Sequence, residues 1–132
     1  MYKMQSSQLY NQVSLETRVA GATPHQLIAI LFEAAHNAML RAKIYFDKGI
    51  VAKRCEMIGK AMNIIDNGLR ASLDHEKGKE IAADLERLYE YISRLLLQAN
   101  TRSDVTKLLE ADKLITEIAA VWQEIVPMIQ EN

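Results

Sequence analysis

The sequence predicts an all-α fold: an antiparallel up-down-up-down four-helix bundle with a mobile N-terminal arm or short cap helix. Apolar residues recur at spacings of three and four along four long segments, which is the period of an amphipathic helix. Short alternating apolar runs, typical of strands, are lacking, and the two prolines and five glycines fall mostly where helices should begin or end. Because the connections are short, consecutive helices should pack as antiparallel neighbours.

The first 22 residues are polar, with thinly spaced apolar side chains. Leu9, Tyr10 and Val13 could line one side of a short helix, but its apolar surface is too small for stability without a docking partner. We therefore expect one domain over residues 1–132, with a mobile arm at 1–22 and the bundle at 23–132. We further hypothesise that the arm acts as an intramolecular lid.

The first long helix has the clearest start in the sequence. Thr23 is a hydroxyl cap, Pro24 suits the first helical position, and Gln26 can reach back to the cap. Gly49 is placed to end the helix after about Lys48. The predicted core face consists of Leu27, Leu31, Ala34, Ala35, Ala38, Ala42 and Tyr45.

The second and third helices each show one core stripe. The second is predicted at about 51–73, and a turn at 74–78 leads to the third, at about 79–99. The stripe of the second helix is Val51, Cys55, Ile58, Met62, Ile65, Leu69 and Leu73. The stripe of the third is Ile81, Leu85, Leu88, Ile92, Leu95 and Ala99.

The fourth helix follows a break at residues 100–103. Ser103 or Asp104 should cap its start, and Pro127 should end or fray it. Its core stripe is Leu108, Ala111, Ile115, Ala119, Trp122 and Val126.

Three of the helices carry more apolar residues than one core face requires. The additional positions, expected to lie outward or on a flank, are Met57, Ala61, Ile64, Gly68 and Ala71 on the second helix, Leu40 and Ile44 on the first, and Leu96 and Leu97 on the third. Flank positions are often half-buried by neighbouring helices, and for any single one of these residues this explanation is as good as an interaction surface. Together they could form patches of several hundred Å², a size that indicates an interaction surface. Shallow grooves of this kind suit amphipathic segments of a partner.

The composition excludes several classes of protein. Sixteen basic and 17 acidic residues give a net charge of -1, so neither nucleic acid nor an anionic membrane is an expected partner. No apolar run approaches the length of about 18 residues expected of a membrane span. Because the N-terminus lacks signal-peptide features and the single cysteine, Cys55, cannot form an internal disulfide, we expect a cytoplasmic protein.

One pair of residues has a spacing used in metal sites. Glu33 and His36 match the Glu-x-x-His spacing of di-iron helical bundles, but no second copy exists and both fall on the face away from the core. His36 also lacks the lysine and glycine that usually follow the histidine of a phosphotransfer domain. Without a phosphate loop, a catalytic triad or an inward carboxylate pair, the sequence predicts no cofactor, no metal and no enzyme.

Three stretches, taken in their order and spacing, give the chain a family resemblance: "ATPHQLIAILFEAA", "AMNIIDNGLRASLD" and "LERLYEYISRLLLQANTRSDV". Over almost its whole length the sequence closely resembles the FliS family of flagellin-specific export chaperones. The resemblance implies a helical bundle that binds the disordered C-terminal segment of newly made flagellin. It also implies that this binding blocks polymerisation in the cytoplasm and that the client is handed to the gate of the flagellar type III export apparatus.

The resemblance further implies that flagellin binds in hydrophobic grooves along the outside of the helices, with the arm covering part of them when they are empty. The positions that fit this role are Tyr10 as the anchor of the arm, and Leu40, Ile44, Met57, Ala61, Ile64, Gly68, Leu96 and Leu97 on the helices. We expect a monomer or weak dimer. The residues alone leave open an alternative, a helical-bundle adaptor or structural protein that uses these stripes to associate with itself.

Overall fold

The computed structural model describes residues 17–130, with side chains as far as residue 125, and this part of the chain consists of helices and short connections without a strand. The predicted all-α bundle is confirmed. Its four long helices are α1 (Pro24–Lys48), α2 (Val51–Asn63), α3 (His75–Thr101) and α4 (Val105–Gln130). A π-helical segment (Ile64–Arg70), called the π segment below, continues α2, and a helical turn at 17–20 precedes α1. Tyr10 and most of the predicted arm lie outside the described residues.

The helices pack in a ring. Each helix contacts the next one along the chain, and α4 contacts α1. Because the connections span only residues 49–50, 71–74 and 102–104, successive helices run antiparallel. The pairing of His36 with Asp112 then sets the register of α1 against α4.

Local signals at the ends of α1 act as predicted. The hydroxyl of Thr23 accepts from the backbone N–H of Gln26 at 3.1 Å, and the Gln26 side chain accepts from the backbone N–H of Thr23 at 2.9 Å. Gly49 ends the helix in the left-handed conformation, with φ at 70°. Both ends are therefore determined by residues next to them in sequence.

The junction of α2 and α3 differs from the prediction. Regular α-helix stops at Asn63, where the π segment begins, and α3 starts at His75, within the predicted turn. The carboxylate of Asp74 makes this early start possible, because it accepts from the N–H groups of Glu76 and Lys77 at 3.1 and 3.0 Å. At Lys79 the backbone leaves the helical region, with φ at 45°, so α3 has a break after its first turn.

The start of α4 agrees with the prediction, but its end does not. Asp104 caps the helix by accepting from the backbone N–H of Thr106 at 3.0 Å. The helical backbone passes Pro127 and reaches Gln130, so of the two predicted outcomes, an end or fraying at Pro127, the end is wrong. A proline removes one intrahelical hydrogen bond, which can kink a helix without terminating it.

The core lies between all four helices and differs from the predicted stripes mainly near helix ends. Phe32 and Met39 are buried although they were not expected there. Leu27, Val51 and Ile81 were expected in the core but are exposed, Ile81 at 71%. Each of these three lies close to the start of its helix, where a neighbouring helix does not cover it. The buried core consists of Phe32, Ala35, Ala38, Met39, Ala42, Ile58, Ala61, Ile65, Leu69, Tyr89, Ile92, Leu95, Leu96, Ala99, Leu108, Ala111 and Ile115.

Candidate functional site

An apolar groove opens at the end of the bundle where α1 begins and α4 ends. Its volume is about 780 Å³, and only two of its lining residues, His25 and Ser72, have polar side chains. The full lining is Val19, Pro24, His25, Leu27, Ile28, Ile30, Leu31, Ser72 and Trp122. A cavity lined in this way binds apolar groups and offers little to orient a charged one.

A second, smaller cavity of about 150 Å³ extends the groove towards α3. The two share Ile28, Ser72 and Trp122, and exposed Ile81 and Val121 line the smaller one. Tyr89 also lines it, and burial raises the pKa of this phenol to about 12, so it remains neutral. Together the two cavities form one apolar surface across the ends of all four helices, which we call the end groove.

His25 and Trp122 form one wall of the end groove. Their rings stack with centroids 4.3 Å apart and planes 4° from parallel. The Trp122 indole N–H donates to the carbonyl of His25 at 3.2 Å, and Nε2 of His25 lies 3.2 Å from the carbonyl of Trp122. Burial lowers the pKa of His25 below its ordinary value. The pair therefore joins the start of α1 to the end of α4 with the imidazole in its neutral form favoured.

The helical turn at 17–20 contributes Val19 to the groove. An ion pair holds this turn against α1, with Nη2 of Arg18 2.8 Å from Oε2 of Glu33. The hydrogen bond and the charge of Glu33 both raise the pKa of the Arg18 guanidinium. The edge of the groove at Val19 thus depends on an exposed pair of charges.

Glu33 and His36 do not face a common ligand. Glu33 pairs with Arg18, whereas Nδ1 of His36 lies 2.6 Å from Oδ1 of Asp112 on α4. Within residues 17–130, no group of three His, Cys, Asp or Glu residues is placed to hold a metal ion. None of the helices in that range is both long and apolar enough to cross a bilayer.

Leu31 lies between the groove and the π segment. It lines the groove, and its Cδ2 and Cδ1 lie 3.2 and 3.3 Å from the point where a Cβ on Gly68 would stand. The absence of a side chain at Gly68 is thus what allows α1 and the π segment to approach this closely.

Two of the predicted flagellin-contacting residues face inward. Ala61 and Leu96 are both 0% exposed, so the expectation that they lie at the surface is wrong. Contacts of Leu31 with Gly68 and of Phe46 with Arg54 place Ala38 opposite Ala61 by register. Ala61 of α2 therefore admits the backbone of α1, not that of a partner.

Of the other predicted positions described by the structure, Gly68 faces Leu31 of α1 and five lie along the sides of the bundle. Met57 and Ile64 are half-buried and pack against the core. Leu40, Ile44 and Leu97 are exposed, as expected from their outward direction. None of these five residues lines the end groove. Their role in binding remains a prediction.

Sequence reasoning missed the end groove because Leu27, Leu31 and Trp122 had been assigned to the core. Periodicity gives the direction of a side chain but not the length of the helix that covers it. Since Leu31 lies opposite Gly68, the first turn of α1 extends past Arg70, the last residue of the π segment. The information needed was that regular α-helix in the second helix stops early, at Asn63. The sequence does not indicate this, because no residue type is specific to a π-helical turn.

Comparison with known proteins identifies the family of this bundle. The family model described as "Flagellar protein FliS" matches residues 6–129. A protein of Salmonella typhimurium, named flagellar secretion chaperone FliS, is 47% identical over 127 residues, covering 96% of this chain and 94% of that protein. An Escherichia coli protein of the same name is 39% identical, covering 94% of this chain and 91% of its own length. The Pseudomonas aeruginosa protein named flagellar secretion chaperone FliSB is 38% identical, covering 95% of this chain and 98% of its own length.

These relatives are named as chaperones and not as enzymes. The matches extend over nearly the whole chain and include the helices that build the end groove. The chain belongs to the FliS family of flagellar secretion chaperones.

Proposed function

We propose that this protein is a cytoplasmic export chaperone for flagellin. It binds the disordered C-terminal segment of flagellin, prevents premature polymerisation, and delivers the client to the gate of the flagellar type III export apparatus. The observation that carries the proposal is the end groove in a chain of this family. The groove combines a cavity of about 780 Å³ with an adjoining one of about 150 Å³, and its lining is mostly apolar.

The groove suits a segment that folds as it binds. An amphipathic helix inserts apolar side chains spaced by three and four residues into such a surface. Ordering a disordered segment costs about 2–5 kcal/mol of the gross interaction energy, so a broad apolar contact is more effective than a few polar ones. The groove lining, which is mostly apolar, meets that requirement.

We propose that the client segment extends beyond the end groove. Exposed Leu40, Ile44 and Leu97 are proposed to contact further stretches of the same segment along the sides of the bundle. Met57, Ile64 and Tyr10 remain proposed contacts as well, whereas Ala61 and Leu96 could act only through packing, since both are buried. Binding over several separate patches needs no nucleotide and no covalent step, so the complex is reversible and the export apparatus can remove the client.

Val121→Asp tests the groove directly. Val121 is 53% exposed and lines the groove, so a carboxylate placed there would be desolvated by an apolar client. We expect the affinity for a peptide of the flagellin C-terminal segment to fall at least about tenfold, with the helical circular dichroism unchanged. Val51→Asp is the matched control, because Val51 is 56% exposed and lies at the opposite end of the bundle.

Equal affinities for Val121→Asp and the unmodified protein would exclude the end groove as a client site. The alternative of a self-associating adaptor has a separate measurement. In that case, sedimentation of the pure protein would show a tight, concentration-independent dimer or tetramer that buries Met57 and Ile64. We expect instead a monomer or weak dimer for both proteins.

A further inference from the structure

The contact between Gly68 and Leu31 is a determinant of the shape of the end groove. We infer that Gly68 sets the depth of the groove through Leu31, and thereby limits the size of the apolar side chain that the groove accepts. Gly68 is a positioning residue in this role, since it acts through Leu31. The part of the inference that concerns the client rests on the proposed function.

Leu31 has one direction in which it can move. The core-facing side of this half-buried residue packs against the buried cluster, and its other side lines the groove. A Cβ on Gly68 would meet Cδ2 and Cδ1 of Leu31 at 3.2 and 3.3 Å, closer than comfortable van der Waals contact. Since the core is close-packed, the side chain would be displaced into the groove.

The π segment cannot easily retreat from Leu31. Asp66 accepts from the Ser93 hydroxyl of α3 at 2.8 Å, and Arg70 pairs with Glu86 and Glu90 of the same helix. The hydroxyl of Ser72 also donates to the carbonyl of Gly68 at 2.6 Å. These contacts on both sides of Gly68 hold the backbone in place, so an added methyl group is relieved at Leu31.

The chain provides a matched control in Gly59. It lies in α2, the helix that the π segment continues, and a Cβ there would meet nothing within 4 Å. Gly→Ala reduces the flexibility of the unfolded chain at both positions, so the two substitutions share that effect on stability. They differ in their effect on Leu31.

The experiment compares Gly68→Ala with Gly59→Ala. The probe is a peptide of the flagellin C-terminal segment, and affinity is measured by titration. We expect Gly68→Ala to weaken binding roughly fivefold or more, the size expected when a well-packed apolar site is overfilled. Gly59→Ala should bind like the unmodified protein. Combining Gly68→Ala with Leu31→Val, which removes one methylene, should restore affinity to within about twofold of Leu31→Val alone.

Two measurements that do not involve flagellin separate this inference from the proposed function. The NMR resonances of the Leu31 methyl groups should shift in Gly68→Ala and not in Gly59→Ala. The apolar dye ANS should bind more weakly to Gly68→Ala than to the unmodified protein, and Gly59→Ala should bind it unchanged. If these changes occur but the unmodified protein does not bind the peptide, the proposed function fails and the role of Gly68 in setting the groove stands. If Gly68→Ala leaves the methyl resonances, dye binding and peptide affinity unchanged, the inference is wrong.

Discussion

The two ends of the bundle differ in what fills the space between their helices, although each end exposes apolar residues, such as Val51 at one and Val121 at the other. At the end where α1 and α3 finish, which we call the closed end, Arg54 is only 7% exposed. Its guanidinium lies 4.7 Å from the ring centre of Phe46 and donates to the carbonyl of Asn100 at 3.3 Å. At the opposite end, His25 and Trp122 also join two helices, but Leu27, Ile81 and Val121 remain exposed around them.

The difference shows that helix length, and not only composition, decides which apolar residues remain available. In the middle of the bundle, Ala61 of α2 is buried against α1 and Met57 is half-buried. Beyond Arg70 the π segment has ended, so the first turn of α1 has no such cover. Surplus apolar surface therefore forms a groove only where a neighbouring helix stops early.

The largest expected effect is on the free energy of unfolding, compared for one substitution at each end of α4. Leu108 is buried near the start of α4, at the closed end, whereas Val121 is exposed in the groove. Leu108→Ala should lower the free energy of unfolding by about 2–5 kcal/mol, because it removes buried methyl groups and leaves a cavity. Val121→Ala should change it by no more than about 0.5 kcal/mol. Urea denaturation followed by circular dichroism measures both, and equal losses would contradict the distinction between the ends.

A smaller effect is expected when the cation of the closed end is removed. Arg54→Ala leaves the Asn100 carbonyl without its donor and opens space over Phe46, so the free energy of unfolding should fall by about 1–3 kcal/mol. Arg41→Ala, an exposed arginine on α1, should change it by less than about 0.5 kcal/mol. The emission of Trp122 in the native protein should stay the same in both variants. A changed emission in Arg54→Ala would mean that the two ends are coupled.

Much of the fold follows from sequence because its signals are local. The capping box at Thr23 and Gln26 and the left-handed Gly49 bound α1 where the sequence predicts, since each interaction joins residues a few positions apart. The break at Lys79 was not predicted, because a positive φ is expected at the adjacent Gly78 and not at a lysine. The π segment was not predicted either, because it is held by contacts with another helix, α3, such as the hydrogen bond from Ser93 to Asp66.

The candidate site was harder to predict than the fold. A helical wheel places Phe32 about 100° away from Leu31 and assigns Leu31, not Phe32, to the core face, yet Phe32 is buried and Leu31 lines the groove. Which of two neighbouring apolar residues is covered depends on the register between helices, and that register is fixed by tertiary pairs such as His36 with Asp112. Exposed Leu40 and Ile44 could be predicted because no register places a neighbour over the outward face of α1.

The smallest expected effect concerns the pH dependence of the wall formed by His25 and Trp122. A carbonyl can only accept, so neutral His25 carries its proton on Nε2, from which it donates to Trp122. Burial lowers the pKa of His25 from 6.5, so between the lowered value and 6.5 the unfolded chain binds more protons than the folded one. The stability from this residue is therefore fully present above pH 6.5 and is lost as the pH falls below it.

Titration from about pH 7.5 to about pH 5 should lower the free energy of unfolding and shift the emission of Trp122, the single tryptophan of the chain. His25→Gln can still donate an N–H to the carbonyl but does not titrate, so both pH-dependent changes should be smaller in that variant. His36→Gln is the control, because His36 contacts Asp112 and lies about three turns further along α1. If His25→Gln keeps the full pH dependence, the titrating group is not His25. The explanation of the pH dependence by the wall of His25 and Trp122 would then be wrong.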